Sequence, residues 1–491
     1  ISVNPDTTTD ITAATVVLSA ATGIGSTADV DTAADSLTAD VTATGAVVIN
    51  EADGVTLTSV TTADGAITVN AGGALVATSV LGTDGTVTLS AGGQITATDV
   101  QANDSGATGA YDAVLSTTAG GLVLTSVTAD NNVSATADTG NVTVGSVSAG
   151  NQAGVTATAG AIDDISVNPD TTTDITAATV VLGAATGIGQ TADVDVSAGS
   201  ISATVTGAGA IVLNSDRSAG PAVAIAGLST QGGAITLSHT GSDNLEITGN
   251  VTSGGATGGD ITISAAQKLT VSAVVNSEGG SGGELVLEGV DLAADVNVGA
   301  GDITLSSLGA ALDVVVSVDV TIESPLTVRA RRDIIIEADL ATNTGDLTLL
   351  ADYELAGATD GSGGVWIKDT GSVTAAGSLT MRGSDVFDLG AAGHVQIDAD
   401  AVDPAANVQA ASGAGGVTLG YRDTAAAATA DLVIDGVVSA GSGGTTIEAN
   451  DDILFGANGD VDSGGAVTVT ANAAGAGGGD RKSTRLNSSH Y

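Results

Sequence analysis

The sequence predicts an all-β fold, a parallel β-helix or β-solenoid with coils of about 20 residues. Three observations predict it. A unit of fixed length recurs along most of the 491 residues, its aliphatic positions alternate with a period of two, and turn residues mark its boundaries.

The repeat is clearest between Gly65 and Asp104, where GAITVNAGGALVATSVLGTD is followed by GTVTLSAGGQITATDVQAND, a unit of 20 residues. Its first half reads Gly-x-φ-Thr-φ, with φ aliphatic. That pattern starts at Gly65, Gly85, Gly140, Gly233, Gly259, Gly301, Gly345, Gly377, Gly415 and Gly465. In Ile67-Thr68-Val69 and Val87-Thr88-Leu89 the aliphatic residues lie two apart, the spacing of a strand with one buried face. The second half adds a corner. Val55/Leu57/Val60, Leu75/Ala77/Val80, Ile95/Ala97/Val100, Leu122/Leu124/Val127 and Val142/Val144/Val147 step by two and then by three. One extra residue re-aims the chain as a bulge does, so Val60 and its counterparts should point inward from the next face. Gly, Asn and Asp at Ala63-Asp64-Gly65, Thr83-Asp84-Gly85 and Asn103-Asp104 supply the turns.

A single unit cannot bury its apolar side, whereas stacked units share a core and pair each backbone group with the coils above and below. At about 4.8 Å per coil the chain holds roughly two dozen coils. Above this period lies a longer duplication: residues 1–31 return at 165–195, offset by 164, with only Ser19 to Gly183 and Ser26 to Gln190 changed. Residues 1–479 are therefore expected to form one continuous solenoid. Within it, 1–216 repeat regularly and contain no basic residue, and 217–479 are more divergent. Gly-rich stretches at 252–260, 278–283 and 359–364, and the segment Gln101–Ala110, break the rhythm and read as projecting loops. Residues 480–491 (DRKSTRLNSSHY) depart from everything before them and resemble a translated sequencing adapter. They are expected to be a disordered, foreign tail.

Composition removes several kinds of chemistry. Eleven Lys and Arg stand against 56 Asp and Glu, a formal charge of −45, which leaves too few cations to neutralise nucleic-acid phosphates. With no cysteine, thiol catalysis, disulfides and thiolate metal sites are excluded. No segment is expected to insert into a membrane. The motifs that remain are weak. Gly279–Gly283 matches Gly-x-Ser-x-Gly but lacks the following helix, and only His239 and His394 precede the tail as bases, so no catalytic residue is expected. Asp460 and Asp462, in Asn458-Gly459-Asp460-Val461-Asp462, and Asp398, Asp400 and Asp403 have the alternate-oxygen spacing of calcium ligands. No distal Glu completes either set, which makes them weak calcium candidates on a solvated acidic face. Arg329, Arg331, Arg332 and Asp333 form a basic cluster best read as surface ion pairing. Asn132, Asn141 and Asn250 open glycosylation sequons, but within strand repeats. The pairs Thr42/Thr44, Thr56/Thr58 and Thr96/Thr98 are outward β-residues rather than a flat ice-binding array.

Gly-Asp-Ile-Thr-Ile (259–263), Gly-Asp-Ile-Thr-Leu (301–305), Gly-Asp-Leu-Thr-Leu (345–349), Gly-Ser-Leu-Thr-Met (377–381) and Arg332-Asp333-Ile334-Ile335-Ile336 resemble the repeats of filamentous-haemagglutinin-like bacterial exoproteins. The resemblance covers most of 1–479. It implies a right-handed β-helix, export to the cell surface or the medium, and a non-enzymatic role as the stalk of a large adhesin. Partners would be glycans or proteins of a host cell, a neighbouring cell or the extracellular matrix. Two other readings stay open, a β-helical carbohydrate-active enzyme using the Arg331 region and a calcium-dependent matrix protein.

Overall fold

The computed structural model describes residues 8–103, 106, 110–166, 172–218, 220–255 and 258–277, and between 285 and 470 mainly the strands and the turns beside them. Among the described residues there is no helix; parallel strands recur about 21 residues apart, and the chain is a β-solenoid. It forms two compact units, Ile1–Thr240 and Gly241–Tyr491.

In the first unit each coil contributes three strands. The first face stacks Val47–Glu51, Ile67–Ala71, Val87–Ala91, Ala113–Thr117, Asn132–Ala137 and Gln152–Ala157, all parallel and in register. The second face stacks Leu75–Ala77, Ile95–Ala97, Leu122–Leu124, Val142–Val144 and Ala161–Asp164. The third stacks Val80–Thr83, Val100–Asn103, Val127–Ala129 and Val147–Ala149. Backbone bonds run from coil to coil, as in Val47 N–H to the Ala66 carbonyl, Ile67 to Thr86 and Val87 to Asp112, each at 2.9 Å. Backbone donors and acceptors are thus met without an antiparallel partner.

Alternation produces the core. Ile49, Val69, Leu89, Leu115, Ala135 and Val155 fall in one inward column and are completely buried, while Thr68 and Thr88, one residue earlier, sit on the outer side. All fifteen corner aliphatics from Val55 to Val147 are buried as the two-then-three spacing requires. The bulge lies at Thr58, where the ladder with Ser36–Thr44 slips by one residue between Leu37 and Thr38. Each fully buried Val, Leu or Ile contributes about 1.5–3 kcal/mol and each Ala methyl about 0.8 kcal/mol, so small side chains suffice because the column is long.

The glycine that opens Gly-x-φ-Thr-φ has a packing reason. A Cβ on Gly85 would stand 2.1 Å from the Gly65 carbonyl oxygen, and one on Gly65 would stand 2.3 Å from that of Gly45. Successive coils touch backbone to backbone at this corner, so a side chain would force them apart. Beside this glycine a buried threonine closes the turn. Thr62 and Thr230 donate their hydroxyls to the carbonyls of Gly65 and Gly233 at 2.6 Å. Thr342 does the same to Gly345 at 3.3 Å in the second unit.

One loop boundary moves. Gln101–Asn103, read as the start of a projecting loop, continues the strand Val100–Asn103, because Ala102 keeps the inward alternation and is buried. The insertion follows it and lengthens the register step from Val87 to Ala113 to 26 residues.

In the second unit the same three ladders recur. One runs through Leu326–Arg329, Leu347–Leu350, Leu379–Arg382, Val417–Gly420, Thr445–Glu448 and Val467–Thr470. Its inward column, Val328, Leu349, Met381, Leu419 and Ile447, is completely buried. Stacking is not strictly sequential: Ile303–Ser307 lies between Ile261–Ala265 and Leu285–Glu288.

Candidate functional site

Among the places in the first unit where polar groups gather, one carries a groove and one is buried. The first is external. The register that stacks Asn132 on Gln152 also places Asp112, just before Ala113, beside Asn132. Asp112 Oδ1 accepts from Asn131 Nδ2 at 2.8 Å and from both the backbone N–H and Nδ2 of Asn132 at 3.1 Å. A groove of about 260 Å³ opens here, lined by Asp112, Val114, Asn132, Ser134, Gln152 and Gly154. Gly154 deepens it, since only the Val133 carbonyl oxygen, at 3.8 Å, would meet a Cβ there. Amide and carboxylate groups in a shallow notch can exchange hydrogen bonds with hydroxyls or with another backbone.

The second place is internal. At the corner between the second and third faces, Asp164, Asp174 and Asp195 are 5%, 2% and 3% exposed. Asp164 ends the strand Ala161–Asp164 and takes the inward position held by Val144 one coil earlier. Asp174 and Asp195 clasp each other. The Asp174 N–H donates to the Asp195 carbonyl at 2.9 Å, and the Asp195 N–H donates to Asp174 Oδ2 at 2.9 Å. No N–H or hydroxyl donor reaches either oxygen of the Asp164 carboxylate, which lies within hydrogen-bonding reach of the Asp174 carboxyl. Burial raises the Asp174 carboxyl from its ordinary 3.8 to about 8; the Asp195 amide opposes this, and the neighbouring Asp164 and Asp195 charges add to it. The buried acid Glu51 is handled differently: its two oxygens accept from the Thr32 hydroxyl at 2.5 Å and the Ala34 N–H at 2.9 Å.

The duplication supplies a counterpart to this corner. Asp10 and Asp31 repeat the clasp of Asp174 and Asp195, with Asp10 N–H to the Asp31 carbonyl at 2.8 Å and Asp31 N–H to Asp10 Oδ2 at 3.3 Å. There Asp10 is exposed.

Asp460 and Asp462 are exposed on one side of the strand Asp460–Ser463, with Asp460 Oδ1 accepting from the Val461 N–H at 2.9 Å. Asp398, Asp400 and Asp403 lie outside the described residues, as do Gly279–Gly283, Arg331, Arg332 and 480–491. Among the described residues no three His, Asp or Glu side chains are grouped to hold a metal ion. His239 is buried at the end of Ile235–His239, and its Nδ1 lies 3.1 Å from Ser215 Oγ, a core hydrogen bond. Among the described residues no helix is long and apolar enough to cross a membrane.

No family model, curated protein or solved structure matches the chain. The fold is that of a β-helical repeat protein.

Proposed function

We propose that the chain is a structural repeat segment of a large secreted or surface-bound bacterial adhesin of the filamentous-haemagglutinin-like kind. The observation that supports this reading is the ladder itself. Coil after coil places an aliphatic residue at the same inward position, as at Ile49, Val69 and Leu89, while the outward positions vary, as at Val48, Thr68 and Thr88. Such a stack supplies rigidity and spacing, and the acidic exterior disfavours self-association. Recognition would fall to inserted loops and to notches such as the one at Asp112, Asn132 and Gln152, whose hydrogen-bonding groups suit glycan hydroxyls or protein backbone on a neighbouring surface. In this reading the chain is extracellular and has no catalytic role.

The test is attachment. Antibody raised against the chain should label intact cells that produce it, and deletion of the repeat should reduce their binding to host cells or matrix. Exclusively intracellular labelling would overturn the proposal.

A further inference from the structure

The buried carboxyl corner goes beyond a stalk's needs. Asp164 replaces an aliphatic residue on the inward side of its strand, is 95% removed from solvent, and is reached on neither oxygen by an N–H or hydroxyl donor, its side-chain neighbour being the Asp174 carboxyl. It faces Asp174 from the same coil, and Asp195 of the next coil lies against Asp174. Asp164 and Asp174 could not both stay ionised there, because each would lose hydration and repel the other. Other titratable groups border the corner. Asp163 faces outward and accepts from the Thr191 N–H at 3.0 Å, and Asp193 is half-buried beside it. Asp216 accepts from the Thr173 hydroxyl. Arg217 donates to the Pro221 carbonyl at 3.2 Å and lies against Gly199 and Gly220. His239 is engaged by Ser215.

We propose that this corner is a proton-binding site: one proton shared by Asp164 and Asp174 supplies the donor that the buried oxygens lack, so acid tightens these coils and alkali loosens them. The proton sits between carboxylate oxygens and is released to solvent when the coils open; no bond other than O–H is made or broken.

The direction follows from linkage. Asp174 binds its proton more tightly folded, up to about pH 8, than unfolded, near 3.8. Between these values the folded state holds a proton that the unfolded state has lost, so stability falls as pH rises through this window and levels off above it. The duplicate Asp10 is exposed and serves as an internal control.

The whole chain, as wild type and as Asp174→Asn, Asp164→Asn and Asp10→Asn, is unfolded in urea at pH 5 and pH 9. The wild-type and Asp10→Asn midpoints should drop further between the two pH values than those of Asp174→Asn and Asp164→Asn. Infrared spectra at pH 6.5 should show a protonated-carboxyl band that survives in Asp10→Asn and is lost in Asp174→Asn. If the Asn variants do not fold, wild type alone decides, by whether that band is present at pH 6.5 and gone by pH 9. Parallel midpoint profiles for wild type and Asp174→Asn would overturn the proposal, as would absence of the band. Calcium that restores the wild-type midpoint at pH 9, but not that of Asp174→Asn, would also overturn it and mark a metal site instead.

Discussion

Thr68 and Val69 are chain neighbours on opposite sides of one strand: Val69 is completely buried between Ile49 and Leu89, while Thr68 is stacked on the outer side between Val48 and Thr88. Their contrast carries the first prediction. Val69→Asp places an unpaired charge in the aliphatic column and should cost more than about 4 kcal/mol, whereas Thr68→Asp should cost no more than about 1 kcal/mol. Thermal unfolding of the two variants checks this, and equal shifts would contradict the assignment of faces.

Glycines divide into two kinds. Gly85→Ala drives a Cβ to 2.1 Å from the Gly65 carbonyl and should destabilise by about 3 kcal/mol or more, because the neighbouring backbones must separate. Gly154→Ala meets only the Val133 carbonyl oxygen, at an ordinary contact distance of 3.8 Å, and should be neutral or stabilising by up to about 1 kcal/mol. Urea midpoints that fail to separate the two variants would contradict the close approach of coils at Gly85.

The corner threonine is tested by removing its hydroxyl at constant shape. Thr230→Val should cost about 1–2 kcal/mol, since the 2.6 Å bond to the Gly233 carbonyl is lost inside the core. Thr230→Ser keeps the donor and gives up one methyl, about 0.8 kcal/mol. A valine variant as stable as wild type would show that the hydroxyl is not needed to close the turn.

For calcium the expectation is a small effect. Asp460 and Asp462 stand exposed on one side of a single strand, with no third described carboxylate gathered to them. Adding a chelator should leave the melting temperature unchanged within about one degree, and Asp460→Asn should melt with wild type. A drop of several degrees in chelator would instead favour the calcium-dependent matrix reading.

Much of the fold was legible because it is periodic. The step of two in Ile67/Val69 and the step of three from Leu57 to Val60 are direct consequences of strand geometry, and the structure buries those residues. The role of Gly85 was not legible in the same way, since a glycine at a unit boundary reads as a turn and its contact lies 20 residues away on Gly65. The hydroxyl bonds of Thr62 and Thr230 were hidden for a related reason: threonine reads as an outward β-residue, and only the coil corner turns these two inward. The carboxyl corner was the least visible. Asp164 and Asp174 lie ten residues apart in an acidic chain, and Asp195 joins them only through stacking. The one trace in the sequence is Asp164 standing where Val144 stands one coil earlier.

Parallel coils stacked in register hold the whole core together, and a cross-link between neighbouring coils reports that register. The chain has no cysteine, so introduced pairs report without background. Thr68 and Thr88 are register partners on the outer side, which places their Cα atoms about 4.8 Å apart, within the range a disulfide spans. Thr68 and Ser90 are offset by two residues and about 8 Å apart, beyond it. On mild oxidation Thr68→Cys with Thr88→Cys should close to an intramolecular disulfide, and Thr68→Cys with Ser90→Cys should remain reduced. Efficient closure of the offset pair, or none in the register pair, would contradict the stacked solenoid.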